Sequence, residues 1–136
     1  VPFYGVFDWT DRDRLQHNAG LQSILEDRIV KQTLADAPSL FSNASPLLRI
    51  TASAPPFMVV HGDKDSLVPI GLGRVFAADL AATSENPVVY LEIPGAQHAF
   101  DIFASPRSEH TKLGVARFLT HAYSQHSALS DAKQTS

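Results

Sequence analysis

Three side chains in this sequence have the type and spacing to move a proton: Asp63, Asp65 and His98. Each lies in a polar loop directly after a short apolar run, Phe57 to Val60 for the two aspartates and Val88 to Ile93 for the histidine. The first run is bounded by Pro55-Pro56 and Gly62, which suits a strand buried on both faces, as in a parallel sheet. Neighbouring parallel strands lie about 5 Å apart and end at one edge, so the loops that follow them can bring their side chains together. A carboxylate beside an imidazole fixes the ring's tautomer and stabilises the imidazolium, which is the apparatus of acid–base catalysis. By position alone either aspartate can be that acid, the other shaping the turn. His61 closes the strand and reads as structural. His121 and His126 are spaced too awkwardly on one helix to share a metal ion.

The elements that must position these loops follow from pattern. Val68 precedes a proline and is biased away from the helical region, while Pro69 suits the first residue of a helix. The stretch therefore reads strand, acidic loop, helix, with the loop at the carboxyl end, where open α/β sheets place their sites. Leu72, Val75, Phe76 and Leu80 make one apolar face of that helix, although Gly71 and Gly73 weaken its first turn. Asn86-Pro87 ends it, and Val88 to Ile93 is the next strand, closed by Pro94-Gly95. Ser105-Pro106 caps and opens a last helix on which Val115, Phe118, Leu119 and Ala122 share a face. Residues 127–136 are polar and expected to be a disordered tail.

Upstream, Val1 to Phe7 (VPFYGVF) is β-branched and aromatic and predicts a strand, with Pro2 at its start. Leu21, Ile24, Leu25 and Ile29 recur at helical spacing within residues 20–34. Asp36-Ala37-Pro38-Ser39 ends that helix, and residues 41–50 read as short helical turns and loop. Each strand-to-strand connection thus holds a helix, which predicts an α/β fold with three parallel strands. Three strands are few, and the Val1–Phe7 edge would be left bare and apolar, a surface for self-association into a dimer. Trp9, Tyr4, Phe100 and Phe103 flank strand ends and are candidates for lining an apolar pocket, against a plain core role.

The chain of 136 residues carries a net charge of −3 without a basic cluster, which argues against nucleic acid or an anionic membrane as main partner. It has no cysteine, so neither a disulfide framework nor thiolate chemistry is available, and no cofactor or metal is called for. No apolar run approaches the ~20 residues of a membrane span, and no signal-peptide pattern opens the chain. The compartment stays open, with the cytoplasm as default and any anchor expected upstream. The first residue, Val1, opens directly on an apolar run, as the middle of a longer protein would.

Two segments resemble the C-terminal part of α/β-hydrolase esterases and lipases, in particular the carboxylesterase and hormone-sensitive-lipase-like branch. One is Ala54-Pro55-Pro56-Phe57 running into His61-Gly62-Asp63-Lys64-Asp65-Ser66-Leu67-Val68-Pro69; the other is Pro94-Gly95-Ala96-Gln97-His98-Ala99-Phe100. In that family the His-Gly-x-x-Asp-x-x-Val-Pro pattern carries the catalytic acid, here Asp65. The Gly-x-x-His-x-Phe pattern carries the catalytic histidine, here His98. The resemblance spans residues 1–123. It implies that the three strands equal strands six to eight of an eight-stranded sheet and that residues 1–126 are part of one domain. Residues 8–54 would be a cap or lid excursion over the pocket of a small-molecule or lipid ester.

The sequence departs from the family in holding no Gly-x-Ser-x-Gly nucleophile elbow and no His-Gly-Gly oxyanion segment. The expectation is a Ser-His-Asp carboxylester hydrolase to which this chain supplies acid and base, inactive without a missing N-terminal half of the same fold. Two alternatives stand beside it. One is a non-catalytic hydrolase-like binding or assembly module. The other is a haloacid-dehalogenase-type phosphatase, suggested by Asp63-Lys64-Asp65 after an apolar strand but lacking His-free entry to the loop and downstream acids for magnesium.

Overall fold

The computed structural model describes residues 1–16 and 19–134. In chain order, α1 (Ala19–Ser23) runs into a π-helical stretch (Ile24–Val30), followed by α2 (Pro38–Ala44) and a 3₁₀ turn (Pro46–Arg49). Then come β1 (Phe57–Gly62), α3 (Ile70–Thr83), β2 (Val88–Ile93) and α4 (Pro106–Gln134). The chain divides into two compact units, Val1–Ala99 and Phe100–Ser136.

The first unit is built on β1 and β2, parallel, in register from Phe57 opposite Val88 to Gly62 opposite Ile93. Five consecutive residues of β1, Met58 to Gly62, are buried, as its unbroken apolar run requires. The α3 crossover packs its apolar face in two directions. Phe76, Ala77 and Leu80 join Phe7, Leu47 and Val59, with the rings of Phe7 and Phe76 stacked at 4.2 Å. One turn earlier, Leu72 joins Leu21, Leu25, Phe41 and Val68. Each such Val, Leu or Phe side chain fully buried contributes about 1.5–3 kcal/mol. Pro69 stands just before the helix, at its N-cap with ψ 132°, and Ile70 opens it. On the outer side the Arg74 guanidinium grips the Glu92 carboxylate through two bonds of 3.0 and 2.7 Å. Burial, with the Glu92 charge beside it, pushes the Tyr90 phenol up to about 12.

Two expectations are corrected here. The Val1–Phe7 strand is reduced to one parallel bridge, Phe3 to Val60, held by the Tyr4 N–H to Val60 and the Val60 N–H to Pro2. So the sheet has two strands and a bridge, and the expected edge for self-association is one residue pair long. The cause is local. Pro2 has no N–H to give, and Tyr4 adopts φ 38°, which turns the chain out of extension. The chain then folds back so that the Phe7 ring covers Gly5, where a Cβ would meet it at 2.9 Å.

The second concerns the apolar face expected over residues 20–34. Leu21 and Leu25 are buried, but Ile24 is 38% and Ile29 55% exposed. From Ile24 the helix bonds i to i+5, and that wider turn rotates a 3.6-residue pattern off the core. Lys31, in the left-handed region at φ 59°, ends it.

The second unit is a loop and α4. Its start is a reciprocal cap: the Ser108 N–H donates to Ser105 Oγ at 3.1 Å, and the Ser105 N–H to Ser108 Oγ at 2.9 Å. Val115, Phe118 and Ala122 are half-buried, whereas Leu119 is exposed. The helix runs to Gln134, through most of the stretch expected to be disordered; residues 135 and 136 lie outside the described ones.

Candidate active site

The loops after β1 and β2 are clasped to each other. Beyond the strands, the Asp63 N–H donates to Ile93 at 3.2 Å and the Lys64 N–H to Ala96 at 3.0 Å. The Asp63 carboxylate accepts the Gly95 N–H at 2.6 Å, with Gly95 itself at φ 68°. The Ser66 N–H donates to the Gln97 amide oxygen at 3.2 Å. The tightest point is Gly62, where a Cβ would lie 2.3 Å from the Ala96 carbonyl oxygen.

This clasp sets Asp65 against His98. The Asp65 side chain is wholly buried and that of His98 28% exposed. Asp65 Oδ1 accepts the backbone N–H groups of Leu67 and Val68 at 2.9 and 2.8 Å. Asp65 Oδ2 stands 2.9 Å from His98 Nδ1. A carboxylate accepts, so Nδ1 carries the hydrogen, and in the neutral ring Nε2 is left as the base. The ring of Tyr4 lies against the His98 ring, centroids 4.4 Å apart. Burial by itself would raise the Asp65 carboxyl. The hydrogen bonds from His61, Val68, His98 and Leu67 outweigh it and hold the group below its ordinary 3.8.

Of the two candidate acids, then, it is Asp65 that meets the histidine, while Asp63 is engaged in the loop clasp. Of the aromatic candidates, Tyr4 reaches His98, Trp9 bonds its own loop through Nε1 to Val6 at 3.1 Å, and Phe103 is 77% exposed. His61 does more than close a strand: its Nε2 stands 3.4 Å from Asp65 Oδ2. Sequence reasoning missed Gln97 and the Leu67 and Val68 amides. Backbone donors leave no mark on residue type, whereas Gln97, adjoining His98, was visible. Among the described residues no group of three metal-ligating side chains gathers, and no helix is long and apolar enough to cross a membrane.

Residues 1–80 match the family model BD-FAE. The chain belongs to the BD-FAE family. It is 44% identical over 131 residues to the probable carboxylic ester hydrolase LipM of Mycobacterium tuberculosis, covering 96% of this chain and 30% of that protein. Esterase LipC of the same organism is 39% identical over 123 residues, covering 90% of this chain and 30% of its own length. This BD-FAE chain therefore spans about a third of the length of the curated relatives it matches, 30% for both of these. Among solved structures, the propionate-bound esterase of Thermogutta terrifontis overlays with a TM-score of 0.63 at 23% identity, over 88% of this chain and 40% of that one. A bifunctional GH43-CE protein of Bacteroides eggerthii overlays with a TM-score of 0.63 at 25% identity, over 87% of this chain and 16% of the other. The BD-FAE relationship is thus one of α/β-hydrolase-fold esterases and lipases, and two parallel strands with flanking helices fit a part of that fold.

Proposed function

We propose that this chain supplies the acid and the base of a serine carboxylester hydrolase, Asp65 being the acid and His98 the base. One observation carries the reading: a wholly buried carboxylate, held on its other oxygen by two backbone amides, faces the Nδ1 of a partly exposed histidine at 2.9 Å. With its tautomer so fixed, His98 takes the proton of an attacking serine hydroxyl at Nε2 and returns it to the leaving alcohol. Asp65 stabilises the imidazolium in between. The sequence holds no Gly-x-Ser-x-Gly, so the serine and the oxyanion donors come from chain outside these residues, and the 136 residues alone are inactive. Within the family the reading places the protein in the hormone-sensitive-lipase-like branch. β1 and β2 are then the seventh and eighth strands, the Phe3 bridge a remnant of the sixth, and residues 8–54 a cap over the ester.

Against the phosphatase alternative, Asp63 Oδ1 accepts the Gly95 N–H within the loop clasp, and Asp65 lies buried beside two imidazoles. The test is hydrolysis of p-nitrophenyl acetate and butyrate by the full-length protein, its His98→Ala variant and the 136-residue chain. A full-length enzyme that loses about 10³-fold or more in kcat on His98→Ala, beside an inactive chain, is the expected result. A parent that is inactive, or indifferent to His98→Ala, leaves the binding-module reading instead.

A further inference from the structure

Asp65 Oδ2 faces two imidazoles, not one. His98 Nδ1 stands at 2.9 Å and His61 Nε2 at 3.4 Å, the latter ring wholly buried. The same His61 Nε2 lies 2.9 Å from the Val68 carbonyl oxygen. A carbonyl only accepts, so Nε2 carries the hydrogen and shares it between Val68 and, at longer range, Asp65. Val68 in turn sends its own N–H to Asp65 Oδ1, and the Asp65 N–H goes back to Gly62 at 3.3 Å. These bonds close a loop within a loop. His61 holds Val68, Val68 and Leu67 hold Asp65, and Asp65 holds His98.

The other face of the His61 ring shows that the fit is built. Nδ1 has no hydrogen-bond partner among the described residues, although it is buried. It packs on Gly73 of α3, where a Cβ would come within 2.6 Å of Nδ1 and 3.3 Å of Cγ. The glycine that weakens the helix's first turn is the seat of this ring. A purely apolar filler of that space would serve packing equally well without burying an unsatisfied nitrogen. The nitrogen that is used is the one aimed at Val68 and Asp65.

We propose that His61 is a positioning residue for the Asp65–His98 pair, fixing the orientation of the Asp65 carboxylate through its Nε2 hydrogen, with Gly73 as the seat that admits the ring. The inference rests on the acid–base reading of Asp65 and His98 above. His61 takes no part in proton transfer itself, because its ring is wholly buried and its Nε2 hydrogen is committed to Val68.

The experiment uses the full-length protein and p-nitrophenyl butyrate, with kcat counted per active site titrated by an organophosphate. Glutamine places an N–H close to where His61 Nε2 sits, asparagine close to Nδ1, and leucine supplies neither. His61→Gln is expected to keep kcat within about threefold, whereas His61→Leu and His61→Asn lose about 10–100-fold with KM within twofold, the pattern of a misplaced catalytic group. If His61→Leu does not fold, the contrast between glutamine and asparagine carries the same test. Turnover per titrated site that is unchanged in leucine or asparagine, or equally reduced in glutamine, overturns the proposal. A His98→Ala control separates the two readings. Loss there with full activity in the His61 variants sinks only this inference, and no loss there sinks the acid–base reading beneath it.

Discussion

At the scale of single residues, Asp65 is where the contacts of the proposed site converge. A carboxylate has about four lone-pair sites. Here Oδ1 receives two backbone N–H groups and Oδ2 faces His98 and, more distantly, His61. Hydrogen bonds to a charged group are worth about 1.5–3 kcal/mol each, which is why the ionised form wins against complete burial. Two outcomes follow. Asp65→Asn cannot accept at both oxygens and lets His98 adopt the other tautomer; kcat of the full-length protein falls by roughly 10³–10⁴ with little change in KM. The lowered folded-state pKa also makes Asp65 a pH-dependent stabiliser. Its contribution is whole above the ordinary value of 3.8 and disappears as pH falls through the depressed folded value. Urea midpoints measured downward from neutral pH therefore decline in the parent once the pH falls below the ordinary 3.8, and the Asp65→Asn variant, starting lower, declines less. Parallel declines in the two proteins contradict the assignment.

At the scale of elements, the pair exists because two loops are held together at Gly62. Gly62→Ala places a Cβ 2.3 Å from a backbone oxygen and 2.8 Å from its carbon, neither of which can swing aside as a side chain could. The loops must separate. The expected cost is about 1–3 kcal/mol by chemical denaturation, together with a loss of activity greater than the loss of folded protein, since His98 is carried away from Asp65. A variant with parental stability and turnover refutes the clasp. This scale also shows what the sequence disclosed. The Phe57 run, the Val88 run and the Asn86-Pro87 stop are complete local signals, and the structure places β1, α3 and β2 where they point. The Asp65–His98 meeting was legible because both loops had to leave one sheet edge. Residues 1–7 misled because β propensity does not register a residue such as Tyr4 at φ 38°. The apolar spacing of Leu21 to Ile29 misled because a period of 3.6 presupposes the α-helix, and the turns from Ile24 are π. The role of His61 was invisible for a different reason. Its partner is a backbone carbonyl, and its seat is the lack of a side chain at Gly73.

At the scale of the whole chain, every residue of the proposed site lies in Val1–Ala99, and the second unit begins at Phe100. The segment between β2 and α4 is non-helical and carries Ile102 and Phe103, 69% and 77% exposed. Proteases need an exposed segment that can adopt an extended conformation, which buried strands and helices resist. Phe41 and Phe76 are buried, and Phe57 belongs to β1. Tyr123 is 73% exposed but sits within α4, where its backbone is hydrogen-bonded. Brief chymotrypsin treatment of the 136-residue chain is therefore expected to cut first after Phe103, leaving a fragment that retains both Asp65 and His98. Mass spectrometry reads the order of cuts directly. Early cutting at Phe41, Phe57 and Phe76 alongside Phe103 means instead that the first unit does not hold its fold by itself. In that case the clasp at Gly62 is not enough by itself to hold the Asp65–His98 geometry.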